Sequence, residues 1–208
     1  MYLGSLLKSI DNKYKKISIK GICFNSKKVK KRDVFFAIKG NKKIGSKFIN
    51  EAIYKGASAI ITSNSDKIKS SKINIIKVLN VRKSLSEACS NFYNKKPKFI
   101  VAVTGTNGKS SVADFFYQIL SLNNLSAASI GTLGILSKKY KKKTNLTTLD
   151  PLVLHKSLEI LKRKNINNVI LEASSHGLHQ NRIDNINIKA GIFTNLSHDH
   201  LDYHKNIK

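Results

Sequence analysis

The sequence predicts an α/β fold in which a small N-terminal α/β domain precedes a doubly wound, mostly parallel sheet. Three observations support this prediction. Short apolar runs alternate with segments of helical periodicity, which is typical of a sheet flanked by helices. The run at 99–103 is apolar without alternation, as expected for a parallel strand buried on both faces. Hydrophobic residues make up 41% of the 208 residues, enough for a sizeable core.

The N-terminal domain is predicted to contain three strands and two helices. The strands are expected at 33–38, 59–62 and 73–78, and the helices at 48–54 and 85–93. Gly40 would end the first strand, and Gly56 would end the first helix because glycine tolerates the left-handed conformation found there. A polar joint at 94–97 holds one of only two prolines, so we predict domains at 1–97 and 98–208.

The second domain is predicted to begin with the strand at 99–103, a glycine loop and a helix at 110–122. Apolar residues of that helix are expected to share one side: Val112, Phe115, Phe116, Ile119 and Leu120. A hairpin is expected at 131–148, with a lysine cluster at 138–143 at its tip. Asp150 followed by Pro151 predicts a helix start. Further buried strands are expected at 168–172 and 190–193.

Charge is the most unusual property of the sequence. A formal net charge of +26 suggests an acidic partner such as nucleic acid. However, only four of the 38 basic residues are arginine, the side chain that most often hydrogen-bonds to bases and binds phosphates with two parallel hydrogen bonds. Lysine is accompanied by abundant isoleucine and asparagine, so we attribute most of the excess to compositional drift and expect no nucleic-acid partner.

Several other protein classes are excluded by simple features. No apolar run approaches the roughly 18 residues that a membrane span needs, and the N-terminus lacks the apolar core of a signal peptide. Two cysteines, Cys23 and Cys89, cannot build a disulfide framework and are expected to be core or incidental thiols. We therefore expect a cytoplasmic monomer with no membrane insertion.

The strongest local motif is V-T-G-T-N-G-K-S at 103–110, between a predicted buried strand and a predicted helix. Successive backbone N–H groups at a helix N-terminus favour phosphate. Gly105 and Gly108 permit a close backbone approach, Lys109 would reach the β- and γ-phosphates, and Ser110 would bind Mg²⁺. The spacing is shorter than in the usual phosphate loop, but the strand–loop–helix context predicts phosphate binding.

Three further segments carry polar side chains. Glu172 ends a predicted strand, where a carboxylate either binds Mg²⁺ opposite the phosphate loop or simply caps the strand; beside that loop we favour the metal role. The second segment contains Ser174 to Gly177, Gln180 and Arg182, with Thr147 and Thr148 upstream. These side chains are suited to binding a sugar or pyrophosphate. Hydrolysis is less well supported, because the G-x-S-x-G motif that presents a nucleophilic serine is missing.

The segment at 195–204 contains three histidines and two aspartates within seven residues. This pattern is compatible with a zinc or dinuclear metal site, and hence with a metallophosphohydrolase. All the candidate ligands lie in one short segment, however, whereas such sites usually draw on several elements. A single histidine that serves Mg²⁺ or a phosphate is the more economical interpretation.

These four segments together, in this order, resemble the Mur ligase family of ATP-dependent enzymes that form amide bonds. The loop T-G-T-N-G-K-S is similar to that family's short phosphate loop. The stretches E-A-S-S-H-G-L at 172–178 and F-T-N-L-S-H-D-H-L-D-Y-H at 193–204 resemble the members that add the third amino acid to UDP-N-acetylmuramoyl-L-alanyl-D-glutamate. The segment from Asn25 to Gly40 is similar to the family's N-terminal uridine-binding domain.

The resemblance implies a set of roles for individual residues. The ATP phosphates would be bound by Gly105, Thr106, Asn107, Gly108, Lys109, Ser110 and Ser111, with Asn195 near the nucleotide. Mg²⁺ would be held by Ser110, Glu172 and His200, and the catalytic residues would be Lys109, Glu172 and His200. The UDP-muramoyl peptide would be held by Phe24, Ser26, Thr147, Thr148, Ser174, Gln180 and Arg182.

The implied reaction joins diaminopimelate or lysine to the UDP-muramoyl dipeptide through an acyl phosphate, for peptidoglycan synthesis. Members of the family continue beyond the point that corresponds to Lys208, so we expect an N-terminal fragment that does not ligate alone. Two alternatives stay open: a non-catalytic remnant that binds only nucleotide or UDP-sugar, and another Mur-like ligase such as folylpolyglutamate synthase.

Overall fold

The computed structural model describes residues 1–39, 48–66 and 73–197. The chain divides into two compact units, Met1–Asn94 and Lys95–Lys208. Each unit is built on its own sheet, and the strands of both sheets are mainly parallel. The predicted mixed α/β fold is therefore confirmed. Among the described residues, no helix has both the length and the apolar character needed to cross a membrane.

Unit 1 contains a four-stranded parallel sheet with the order β1-β2-β3-β4. Its strands are β1 (Gly21–Cys23), β2 (Asp33–Phe36), β3 (Ala59–Ser63) and β4 (Asn74–Val78). Its helices are α1 (Asn12–Lys15), α2 (Ile49–Tyr54) and α3 (Val81–Phe92). The three predicted strands all form, whereas the three-residue β1 is too short to leave a periodic signal in the sequence.

The helix boundaries in unit 1 follow local capping. Gly56 has a φ of 85°, so α2 ends as predicted. The helix α3 begins four residues earlier than predicted, because the side chain of Asn80 accepts hydrogen bonds from the amides of Arg82 and Lys83, both at 3.0 Å. Gly40, the predicted end of β2, lies outside the described residues. Cys23 and Cys89 are both buried, and neither forms a disulfide within the described residues.

Unit 2 contains a five-stranded sheet with the order β7-β6-β8-β5-β9, in which only β7 is antiparallel. Its strands are β5 (Phe99–Thr104), β6 (Ala127–Gly131), β7 (Gly134–Ser137), β8 (Asn168–Glu172) and β9 (Ala190–Phe193). Its helices are α4 (Lys109–Leu122), α5 (Pro151–Arg163) and α6 (Ser175–His179). Helix α5 begins at Pro151, as predicted, and Asp150 caps it by accepting from the amide of Val153.

The sheet of unit 2 has an apolar core on each face. On one face, α5 contributes Leu154, Leu158 and Leu161 to a buried cluster with side chains of β5, β6 and β8. On the other face, Ala113 of α4 is buried with residues of β5 and β8, and Val112 and Phe116 pack against this cluster. These two layers fix the carboxyl ends of the strands, where ligands bind in open α/β sheets.

Two elements of unit 2 leave apolar side chains exposed. Phe115 and Ile119, which the sequence placed on one side of α4, are 60% and 58% exposed, because the sheet is covered by the neighbouring face of this helix. Strand β9 was expected to be buried, yet Phe193 is 65% exposed. Among the described residues β9 pairs only with β5 and forms an edge of the sheet, so one of its sides has no neighbouring strand.

The predicted hairpin at 131–148 starts earlier than expected. Its first strand is β6, and the chain turns at Thr132 and Leu133 into β7. Within the lysine cluster the chain reverses and returns along β7 through the pair Ile135 and Lys142. The tip therefore lies at the amino end of β6, where Lys138 donates to a carbonyl in the last turn of α4. This is the end of the sheet opposite Glu172.

His155 of α5 is a fully buried titratable group, and the sequence predicts no functional role for it. Neither ring nitrogen has a hydrogen-bond partner among the described residues. Burial, reinforced by the positive charge of Lys96, lowers the pKa of His155 to about 3, and the backbone of Asp184 acts in the opposite direction. The imidazole is therefore neutral in the folded protein at ordinary pH.

We expect His155 to make the protein less stable in mild acid. The unfolded chain takes up a proton near pH 6.5 and the folded chain only near pH 3, so stability falls between these values, by at most about 1.4 kcal/mol per pH unit. His155→Leu should remove this loss. Urea unfolding of both proteins between pH 7 and pH 5 measures the difference. His179→Leu, at an exposed position, is the control and should retain the wild-type slope. Equal slopes in wild type and His155→Leu would contradict the prediction.

Candidate functional site

The phosphate loop and Glu172 are brought together by the pairing of β5 with β8. Glu172 lies opposite Val103 in this parallel pair, and the loop begins directly after β5. The chain then turns into α4, whose first residue is Lys109. As a result, the Ser110 hydroxyl in the first turn of α4 donates to Glu172 Oε2 at 2.9 Å. The structure thus places two residues predicted from separate segments side by side.

The loop has the backbone conformation that its glycines allow. Gly105 and Gly108 have φ values of 133° and 83°, both in the region that favours glycine. The ammonium group of Lys109 folds back over the loop and donates to the carbonyls of Gly105 and Thr106 at 2.6 and 2.7 Å. The loop therefore positions the positive charge of Lys109 at the N-terminus of a 14-residue helix, where the helix dipole also favours an anion.

Asn195, which follows β9, holds the middle of this loop. Its carbonyl accepts from the amide of Thr106 at 2.9 Å, and its side chain accepts from the amide of Asn107 at 3.0 Å. Two loop amides are thus occupied within the protein. The amides of Gly108, Lys109 and Ser110 have no acceptor among the described residues, which leaves them for a phosphate. Ser111 is exposed in the same first turn of α4.

Glu172 is held in a closed polar pocket and is only 3% exposed. Its Oε1 accepts from the amide of Thr132 at 2.9 Å, and its Oε2 accepts from the Thr132 hydroxyl at 3.1 Å as well as from Ser110. A Cβ built on Gly131 would overlap the carboxylate, so glycine is required beside it. Neither Gly131 nor Thr132 was predicted from the sequence, because strand β6 that presents them was not recognised.

The residues expected to hold the second substrate continue the same network. The hydroxyl of Thr148 donates to the carbonyl of Glu172 at 2.8 Å and accepts from the amide of Ser174 at 2.8 Å. The guanidinium of Arg182 donates to the carbonyl of Thr148 at 2.7 Å and to Gln180 Oε1. The hydroxyls of Thr147 and Thr132 lie 3.1 Å apart, which joins this group to Glu172. Five residues predicted from two separate segments thus meet at one site: Thr147, Thr148, Ser174, Gln180 and Arg182.

Phe24 and Ser26 lie in unit 1, directly after β1. Phe24 is partly buried, and Ser26 is buried. A hydrogen bond from Ser26 to Glu51, followed by one from Lys55, lowers the pKa of Glu51 below its ordinary value. These residues follow the carboxyl end of a parallel strand, where ligands bind in open α/β sheets, and their contact with the UDP-muramoyl peptide stays a prediction.

His200, together with the other histidines and aspartates at 198–204, lies outside the described residues. Within the part of the chain that the structure describes, no three His, Cys, Asp or Glu side chains form a group that could hold a metal ion. The oxygen atoms of Ser110 and Glu172 are nevertheless the type of ligand that Mg²⁺ prefers, and they are close enough to serve one ion. The donor set therefore fits magnesium, and the third predicted ligand stays a prediction.

Family models match two segments of the chain. Residues 103–208 match the model of the Mur ligase middle domain, and residues 18–93 match that of the Mur ligase family catalytic domain. The UDP-N-acetylmuramoyl-L-alanyl-D-glutamate–2,6-diaminopimelate ligases of Bradyrhizobium diazoefficiens and Rickettsia montanensis are 41% and 46% identical to this chain. These matches cover 92% and 89% of the chain and 39% of each relative. The chain thus spans about two fifths of the length of these relatives.

Two solved structures have a similar fold. A structure of a UDP-N-acetylmuramoyl-L-alanyl-D-glutamate–2,6-diaminopimelate ligase superposes with a TM-score of 0.82 and 28% identity, over 100% of this chain and 42% of that one. The MurF ligase of Thermotoga maritima, in complex with ADP, superposes with a TM-score of 0.59 and 24% identity, over 90% of this chain and 40% of that one. The second likeness concerns the fold alone.

Proposed function

The chain belongs to the Mur ligase family, and from this premise we propose that it binds ATP with Mg²⁺ and UDP-N-acetylmuramoyl-L-alanyl-D-glutamate for the addition of a third amino acid. The names of the relatives support diaminopimelate as that amino acid. One observation carries the proposal. The hydrogen bonds from Ser110 to Glu172, on to Thr132 and then to Thr147 connect the phosphate loop to the predicted substrate residues without a break.

The proposed chemistry proceeds in two steps. The γ-carboxylate of the D-glutamyl residue attacks the γ-phosphorus of ATP, ADP leaves, and an acyl phosphate forms. The amine of the incoming amino acid then attacks the acyl carbon, and an amide, inorganic phosphate and a proton are released. Neither step requires a covalent bond to the protein, so binding, orientation and charge neutralisation are what the residues contribute.

Each residue of the network has a role in this proposal. Lys109 leaves the two loop carbonyls and neutralises the β- and γ-phosphates, while the amides at the start of α4 orient them. Ser110 and Glu172 would hold Mg²⁺, which supplies charge neutralisation at the transferred phosphoryl group when bound. Thr147, Thr148 and Arg182 orient the muramoyl peptide. ATP and the UDP-linked precursor are cytoplasmic, so we place the reaction there.

Calorimetric titration of this chain with each ligand tests the proposal. We expect one equivalent of ATP to bind when Mg²⁺ is present, and one equivalent of UDP-N-acetylmuramoyl-L-alanyl-D-glutamate to bind separately. UDP-N-acetylglucosamine, which lacks the lactyl peptide, is the matched control and should bind more weakly. Binding of neither ligand would overturn the proposal, and binding of ATP without the UDP-muramoyl dipeptide would overturn the assigned substrate. The monomeric state and the absence of a nucleic-acid partner stay predictions.

A further inference from the structure

Thr194, the first residue after β9, contacts the phosphate loop although no sequence motif assigned it a role. Its hydroxyl donates to the carbonyl of Asn107 at 2.6 Å and lies 3.2 Å from the carbonyl of Thr104. Its amide also donates to the Thr104 carbonyl at 3.0 Å. The side-chain amide of Asn195 reaches the same Asn107 carbonyl at 3.2 Å. The end of β9 therefore binds both ends of the loop.

The backbone of the loop lies very close to the Thr194 side chain. A Cβ built on Gly105 would overlap the Thr194 hydroxyl and lie 2.8 Å from the carbonyl oxygen of Asn195. Because Gly105 has no side chain, the Thr194 hydroxyl can lie this close to the backbone of the loop. Close packing of this kind fixes the direction in which the loop carbonyls point, because a carbonyl that rotated away would leave the hydroxyl without its acceptor.

Lys109 and Thr194 together contact all four carbonyls from Thr104 to Asn107. Lys109 binds those of Gly105 and Thr106, whereas Thr194 binds those of Thr104 and Asn107. In the proposed function Lys109 must leave its carbonyls to reach the phosphates. The contacts from Thr194 involve no group that the nucleotide recruits, so they can persist after this movement.

We propose that Thr194 is a positioning residue of the nucleotide site, which keeps the carbonyl of Asn107 turned away from the phosphates so that the amides of Gly108 to Ser110 face them. A carbonyl oxygen directed at a phosphate would repel it, and the loop amides bind only if their peptide groups keep one orientation. Asn195 acts with Thr194 by holding the loop peptides. This inference rests on the proposed binding of ATP.

The test compares Thr194→Val, which removes the hydroxyl and keeps the shape, with Thr194→Ser, which keeps the hydroxyl. We expect Thr194→Val to raise the Kd for ATP with Mg²⁺ by about three- to tenfold, the range for one lost hydrogen bond at a carbonyl to which the Asn195 side chain still donates. Thr194→Ser should stay within about twofold of wild type. Binding of the UDP-muramoyl dipeptide should change in neither variant.

Ser126→Ala is the matched control, because its hydroxyl also donates to a backbone carbonyl, at 2.9 Å, but at the amino end of the sheet. It should leave the Kd for ATP unchanged. An unaltered Kd in Thr194→Val, or the same loss in Thr194→Ser as in Thr194→Val, would overturn the inference. So would an equal weakening of UDP-muramoyl dipeptide binding, which would indicate a general loss of structure.

Amide hydrogen exchange of the loop without nucleotide separates this inference from the proposed function. We expect the amides of Thr106 and Asn107 to exchange faster in Thr194→Val than in wild type, and as in wild type in Thr194→Ser and Ser126→Ala. If wild type binds no ATP but this pattern is seen, the proposed function fails and the positioning of the loop by Thr194 stands. If wild type binds ATP and exchange in Thr194→Val is unchanged, the inference alone fails.

Discussion

Lys109→Ala should weaken binding of ATP with Mg²⁺ by about 10- to 100-fold and leave binding of the UDP-muramoyl dipeptide unchanged. Lys109 carries the only ammonium group in the loop, and in the structure it lies over the carbonyls of Gly105 and Thr106. A charge-assisted hydrogen bond to phosphate contributes about 1.5–3 kcal/mol, which corresponds to this loss of affinity. Calorimetric titration of the variant with each ligand measures both effects.

Lys98→Ala is the control for this experiment. Lys98 is exposed just before the opposite end of β5, so its replacement removes the same charge from the protein without touching the loop. A decrease in ATP affinity common to both variants would show that the net positive charge, and not the placement of Lys109, governs nucleotide binding. ATP affinity of wild-type strength in Lys109→Ala would contradict the assignment of the phosphate loop.

Gly131→Ala should destabilise the protein and disturb the carboxylate of Glu172. The added methyl group would overlap Glu172 Oε1, which is buried and already accepts from the amide of Thr132. Relief of the overlap requires movement of β6 or of the Glu172 side chain, and overpacking of this kind costs about 1–3 kcal/mol. Urea unfolding measures this loss, and the Mg²⁺ dependence of ATP binding reports on the position of the carboxylate.

Gly191→Ala provides a matched control within the same sheet. No atom of the described residues lies within 4 Å of a Cβ built at Gly191 in β9. Its stability should therefore remain within about 0.5 kcal/mol of wild type, and Mg²⁺ should strengthen ATP binding as it does in wild type. If both alanine variants were equally stable and equally responsive to Mg²⁺, the close approach of Gly131 to Glu172 would have no energetic consequence.

The sequence predicted those elements whose signals are local. The apolar run of β5, the capping pair Asp150 and Pro151, and the glycine at position 56 each specify a backbone conformation through their own chemistry. Strand β6 escaped prediction, because its sequence A-A-S-I-G has small residues and no strong β-branched pattern. The exposure of Phe115 and Ile119 did not follow from the sequence, because helical periodicity identifies an apolar face without showing how much of it a neighbour covers.

The candidate site shows the same division between local and long-range information. The sequence alone determined the phosphate loop, because the glycines, Lys109 and Ser110 are adjacent in the chain and their chemistry depends on that order. It also indicated Glu172 and the residues near Thr148. Only the tertiary structure decided that Thr132 holds Glu172 and that Thr194 holds the loop. Strands β6 and β9 lie on opposite sides of the β8–β5 pair that bears Glu172 and the loop. Their partners are thus set by the order of strands in the sheet, a long-range property that no local pattern in the chain contains.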